Sequence, residues 1–325
     1  ELNLLAHGFM IHSDTRGAVA GSLRWRVSLL ESALAQGASQ MAVLTATQAL
    51  KHVVDTNLTG VWTHTPQLPG GRLILKGARG LGVGLRMDDG RLEIVSLYDM
   101  NQDREMLAAP CSPFSLVLSD AEDKLVTLRT NDGLVIEDAR GLEDGDEVVV
   151  RFKADADSGI EGLTATLTMN MSDGGLAMDL SVDNGTDWSL ERVNIPEVTI
   201  GALGNDASDD VAYGPRGFGV AYPNPIGSSA RFLGYYPSGG CVVQFMMTTD
   251  EWGGVYVGVH DPTASTKSLR FEPDGAGSGL NMFVEIQAPD ASLPGNDFEL
   301  DGEAIIAQVG GGWWPATQKY RQWLG

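Results

Sequence analysis

Residues 163–184 read LTATLTMNMSDGGLAMDLSVDN. Apolar and polar residues alternate on both sides of Asp173-Gly174-Gly175, and a period of two puts alternate side chains on opposite faces of a strand. The Asp-Gly step supplies the backbone freedom of a tight turn, so the stretch is expected to form a β-hairpin. Outward from it the same texture repeats. GRLILKGA (71–78), LGVGLRM (81–87) and RLEIVSLYDM (91–100) precede it, as do FSLVLS (114–119), KLVTLRT (124–130), LVIEDAR (134–140) and EVVVRFKA (147–154). VNIPEVTIG (193–201), CVVQFMMT (241–248), GVYVGVHD (254–261), KSLRFEP (267–273), LNMFVEIQAP (280–289) and EAIIAQVG (303–310) come after it. Asp-Gly, Asn-Asp-Gly and Gly-Gly turns separate them, the punctuation of an all-β protein. Roughly fifteen short strands at about ten-residue intervals imply a large antiparallel β-sandwich, and the lack of a fixed period argues against a propeller or solenoid. Residues 201–230, rich in Gly, Pro, Asn and Asp, read as loop.

The two ends of the chain differ from this middle. Residues 1–60 are richer in Ala, Leu, Gln and Ser, and Met41, Leu44 and Gln48 fall at helical spacing, with Ser39 as N-cap. That segment is expected to be partly helical. Residues 61–310 are expected to form the sandwich. Residues 311–325, GGWWPATQKYRQWLG, read as the start of a helix or a linker to a further domain, with Pro315 in the first turn and Trp313, Trp314, Tyr320 and Trp323 on one face.

Composition narrows the function. Lys and Arg number 22 against 43 Asp and Glu, a net charge of −21. Such a surface repels nucleic acid and anionic membranes, since phosphate binding needs clustered cations. No run reaches the ~18 apolar residues of a membrane span. The acidity suits a secreted or cell-surface protein. Cys111 and Cys241 are the two cysteines, either a disulfide or two free thiols.

Chemistry concentrates in Thr248–Asp261, TTDEWGGVYVGVHD. Sugars are bound by stacking their C–H faces on aromatic rings while carboxylates and imidazoles hold the hydroxyls. Glu251, Trp252, Tyr256, His260 and Asp261 supply those groups, and Tyr256, Gly258 and His260 share one side of a strand. They are the expected ligand-binding residues. The plainer reading makes Tyr256 a core residue and His260-Asp261-Pro262 a turn capped by Asp261.

The RLEIVSLYDM strand, the SDGGLAMDLSVDN hairpin, the GVYVGVHDP strand and the closing WWPATQKYRQWL segment together resemble one module of large bacterial glycoside hydrolases. It is the β-supersandwich, related to the galactose-mutarotase fold, that precedes the (β/α)8 barrel in enzymes of the endo-α-N-acetylgalactosaminidase type. The resemblance spans roughly residues 72–325. It implies that the catalytic carboxylates sit on a barrel following Gly325, and that the sandwich binds or scaffolds rather than cuts.

Three functions are open. The first is a carbohydrate-associated sandwich module with a polysaccharide or glycan as partner and a C-terminal catalytic domain beyond it. The second is a free-standing polysaccharide lyase or sugar epimerase, for which His260, Asp261, Tyr222 and Arg216 are the candidate catalytic residues, with Tyr213 beside them or Glu285 across the ring from His260. The third is a structural protein that self-assembles or binds a partner through its tryptophans. No cofactor is required by any of these. Calcium is the one metal the acidic loops suit, with Asp206, Asp209 and Asp210 in GNDASDD ahead of 183–187 and 144–147.

Overall fold

The computed structural model describes residues 71–325 except 77–79, 142–146, 173–174, 205 and 238. The partly helical segment expected over 1–60, His7, His12, His52 and His64, and the acidic loop at Asp144 and Asp146 lie outside the described residues. The chain divides into two compact units, residues 1–69 with 100–104, and residues 70–99 with 105–325. The second unit holds the large sheets.

Twenty strands and one α-helix are described. The first ten are β1 Gly71–Lys76, β2 Leu81–Asp88, β3 Arg91–Asp99, β4 Arg104–Glu105, β5 Ser115–Ser119, β6 Leu125–Arg129, β7 Leu134–Arg140, β8 Glu147–Ala154, β9 Leu163–Ser172 and β10 Gly175–Asn184. Next come β11 Ser189–Gly201, β12 Val211–Gly214, β13 Val220–Pro223, β14 Phe232–Tyr236 and β15 Phe245–Thr249. The rest are β16 Gly253–His260, β17 Lys267–Pro273, β18 Gly279–Gln287, β19 Phe298–Glu299, β20 Glu303–Gly310 and α1 Trp313–Leu324.

Two large antiparallel sheets carry the fold. One runs β13-β12-β15-β16-β20-β10-β9-β8-β7, with β19 beside β10, and the other β14-β17-β18-β11-β5-β6. β9 and β10 pair from Leu163↔Asn184 to Ser172↔Gly175, so the loop of the hairpin is two residues long. Residues 201–230 are not wholly loop. β12 and β13 are four-residue strands there, too short between Gly204, Gly214 and Pro223 to show a period.

Alternation along the strands sorts the side chains into two cores. Val255, Val257 and Val259 of β16 join the main core, shared with Val193 and Ile195 of β11 and Met282 and Val284 of β18. Tyr256, between them, points to the other face. There it meets Phe245 and Met247 of β15, Ala177 of β10 and Ile305, Ala307 and Val309 of β20. α1 covers this second core with Ala316 and Tyr320, and with Trp323 packed against it. The spacing of four and then three places these residues on one helical face. Trp313 lies on that side only in the first turn, where its ring meets Trp314 edge-on at 5.5 Å and stays exposed. The four aromatics of α1 are therefore split between the sheet and the surface.

Candidate functional site

β16 is buried along all of its eight residues and ends in two unlike places. At about 3.3 Å per residue those ends are roughly 23 Å apart.

At the first end, Asp250 makes the turn from β15. Its Oδ1 accepts from the backbone N–H groups of Trp252 and Gly253, both at 2.8 Å. That locks a tight reversal and leaves Glu251 and Trp252 at its tip, Trp252 63% exposed. The segment leading into α1 lies directly against this turn. A Cβ on Gly311 would sit 2.0 Å from the Glu251 carbonyl oxygen, so only glycine permits the approach. The Gly312 N–H donates to Thr249 Oγ1 at 3.2 Å. Trp313 and Trp314 come at once after it, 53% and 58% exposed. Three exposed tryptophans and a carboxylate thus project from two neighbouring backbone segments.

At the other end, His260 is closed off. The Tyr256 hydroxyl and His260 Nε2 share a hydrogen bond of 2.8 Å, and the imidazole stacks on Trp323 at 4.8 Å and 20°. Tyr256 itself is fully buried, stacked on Phe245 at 4.6 Å. Enclosing a ring of that size stabilises by roughly 1.5–3 kcal/mol. Burial first, and the positive charge of Lys319 second, lower the His260 pKa to about 4, so the ring is neutral near pH 7. Burial, with Tyr320 adding to it, raises the Tyr256 hydroxyl well above its ordinary range.

Asp261 does not pair with His260. It turns to the wholly buried Lys267, whose Nζ donates to Asp261 Oδ2 at 2.6 Å, Gln244 Oε1 at 2.9 Å and the Ser265 carbonyl at 2.8 Å. Asp261 also accepts from Thr263 N and Oγ1 and from Ser265 N and Oγ. Burial alone would raise its pKa, but these hydrogen bonds and the ammonium outweigh burial and hold the carboxyl well below the usual range. Every oxygen is engaged, which is the condition for a buried ion pair to be tolerated. A cavity of about 270 Å³ opens beside it, lined by Ser265, Thr266, Gln287, Phe298, Glu299 and Asp301 among others.

The five expected ligand-binding residues are therefore not brought together. Glu251 and Trp252 stand at one end of β16, His260 and Asp261 at the other, and Tyr256 is enclosed between them. The lyase group separates too. Ala212 pairs with Tyr222, so Tyr213 and Tyr222 face opposite sides of the sheet. Tyr213 packs on the second core, and Tyr222 on the main one, against Phe271 at 5.1 Å. Arg216 lies over the Phe232 ring at 5.5 Å and donates to the Leu233 carbonyl. Glu285 is held by Arg192 and Arg270 on the other sheet. Asp206 accepts from Ser208 N and the buried Asp210 from Leu203 N, while Asp209 is exposed. Among the described residues no group of three or more His, Cys, Asp or Glu is gathered to hold a metal ion. The two cysteines are free thiols, and burial pushes Cys111 up to about 12.

Reading by motif misses Lys267 and Gln244. Lys267, opening KSLRFEP six residues after Asp261, carries no signal that sets it apart from other lysines at a strand start. Gln244 carries none either.

No family model and no curated protein matches the chain. Solved structures do. The galactosidase domain of the α-galactosidase–sucrose kinase AgaSK superposes with a TM-score of 0.49 at 9% identity over 74% of this chain and 40% of that one. The α-N-acetylgalactosaminidase NagBb from Bifidobacterium bifidum gives 0.49 at 12% identity, over 78% and 38%. A galactose mutarotase-like protein from Lactobacillus casei gives 0.47 at 12% over 73% of this chain and 99% of its own. The chain thus spans about two fifths of the two hydrolases and nearly all of the mutarotase-like protein. Of the three, the Lactobacillus casei protein is the one named as galactose mutarotase-like. By its own strand order the chain is mainly β, in layered antiparallel sheets.

Proposed function

We propose that the chain is a carbohydrate-associated β-sandwich module of a glycoside-hydrolase-like protein that binds glycan rather than cutting it. One observation carries this reading: Trp252, Trp313 and Trp314 stand exposed together beside Glu251 on a rigid sheet end. Indole faces match the C–H faces of pyranoses, and a carboxylate accepts from hydroxyls. The candidate acid and base point the same way by elimination. A general base must reach the proton that it takes, whereas His260 is turned onto Tyr256 and Trp323, and Asp261 onto Lys267.

Native gels cast with a panel of soluble polysaccharides test this. The chain is expected to be retarded by at least one of them and to release no new reducing ends or unsaturated products from any. Product release that His260→Ala or Tyr222→Phe abolishes would support the lyase or epimerase reading in its place.

A further inference from the structure

Resting on the glycan-binding reading, we infer that the ligand is an uncharged glycan, seated on a platform of Trp252, Trp313, Trp314, Glu251 and Gln318. The chain has seven tryptophans, and five lie among the described residues. Trp188 is partly buried against the main core and Trp323 covers His260. The three that remain exposed are the three that gather at this end. Their position is fixed by backbone. Gly253 of β16 pairs with Gly310 of β20, Gly311 abuts the Glu251 carbonyl, and Gly312 is tied to Thr249. The rings are thus presented by two segments that cannot move apart without breaking the end of the sheet, which lowers the ordering cost of binding.

The charges around the rings select the ligand class. For one turn beyond the tryptophan pair α1 carries Pro315, Ala316, Thr317 and Gln318, all uncharged. Residues three and four positions apart are neighbours on a helix, so Gln318 lies beside Trp314. The turn opposite contributes Asp250, buried as its cap, and Glu251. From Asp250 to Trp252 and from Trp313 to Gln318 these segments offer rings, indole N–H donors, an amide and a carboxylate and no cation, while Lys319, the next residue of α1, is a cation whose charge acts on His260 at the far end of β16. A uronate or sulfate placed there would meet Glu251 inside a chain of net charge −21, well within the ~10 Å screening length at 0.1 M salt. The same charge disfavours a second copy and an anionic lipid surface as occupants. Hydroxyls, which donate to Glu251 and exchange hydrogen bonds with Gln318, fit.

The test uses the full chain and affinity electrophoresis on neutral glucan, galactan and mannan, with polygalacturonate and a sulfated galactan as the charged arms. Retardation by a neutral polymer is expected, changing less than about twofold between low and high salt because no ion pair is made. Trp252→Ala and Trp314→Ala should each weaken it on the order of tenfold, while Val242→Ala, an exposed apolar residue on another edge, should leave it unchanged. Circular dichroism of each variant confirms that it is folded. Binding of the charged polymers equally or more tightly would sink the choice of ligand class and leave the glycan-binding reading standing. Retention on neutral polymers that survives both tryptophan variants would remove the platform. No retardation by any polymer would sink both. Light scattering that shows a dimer lost in Trp314→Ala would make the surface a self-interface instead.

Discussion

The two ends of β16 hold nearly the same kinds of residue and differ in everything else. Around Trp252 a carboxylate and three indoles lie in the open. Around His260 two phenols and an indole are packed between the sheet and α1, and the neighbouring carboxylate of Asp261 is buried on Lys267. Aromatic and acidic density in the sequence marks both ends alike. What separates them is where the helix runs: it rises from the first end with its tryptophans outward and comes down on the second with Tyr320 and Trp323 inward.

The comparison breaks most readily at the buried end. Lys267→Met removes one partner of an ion pair with no exposed surface, and urea unfolding should show a loss of about 3–5 kcal/mol. A loss below about 1 kcal/mol would mean that Asp261 finds water or another partner. Acid supplies the next largest effect. His260 has a folded pKa near 4, below its unfolded value, so the unfolded chain takes up the proton first as pH falls. Its contribution is complete above about pH 6.5 and declines by up to about 1.4 kcal/mol per pH unit down to about pH 4. His260→Gln should flatten that slope between about pH 6.5 and 5, where carboxylates add little; an unchanged slope would assign it elsewhere. Tyr256→Phe leaves His260 Nε2 without its partner and should cost about 1–3 kcal/mol, read from the shift in denaturant midpoint at constant m-value. At the exposed end, Trp252→Ala and Trp314→Ala should move stability by no more than about 0.5 kcal/mol. A larger loss in either would show that its ring braces the fold and is not held ready for a ligand.

Much of the fold is legible in the amino-acid sequence alone. The hairpin at 163–184, the order of strands on both sides of it and the helix opened by Trp313 are local patterns, and local patterns survive in sequence. The two short strands β12 and β13 are not legible, because four residues between glycines show no period. The site is harder to read because its meaning is long-range. Nothing local says that His260 will meet a tryptophan 63 positions later, or that Ala212 rather than Tyr213 will stand opposite Tyr222 and send the two tyrosines to opposite faces. The turn capped by Asp261 is readable from Thr263 and Ser265, but the ammonium that completes it is hidden, because Lys267 resembles any other lysine at the start of a strand.

The glycines of β16 and its neighbour have a bearing on inheritance. A Cβ would lie 2.1 Å from the Thr248 carbonyl at Gly254, 2.6 Å from that of Gln244 at Gly258 and 2.0 Å from that of Glu251 at Gly311. Backbone cannot yield there as a flexible side chain can. Any descendant that keeps this sheet must keep glycine at these three positions, whatever else drifts around them. Gly254, Gly258 and Gly311 therefore form a signature set by steric exclusion, by which distant relatives can be sought even where overall identity has faded.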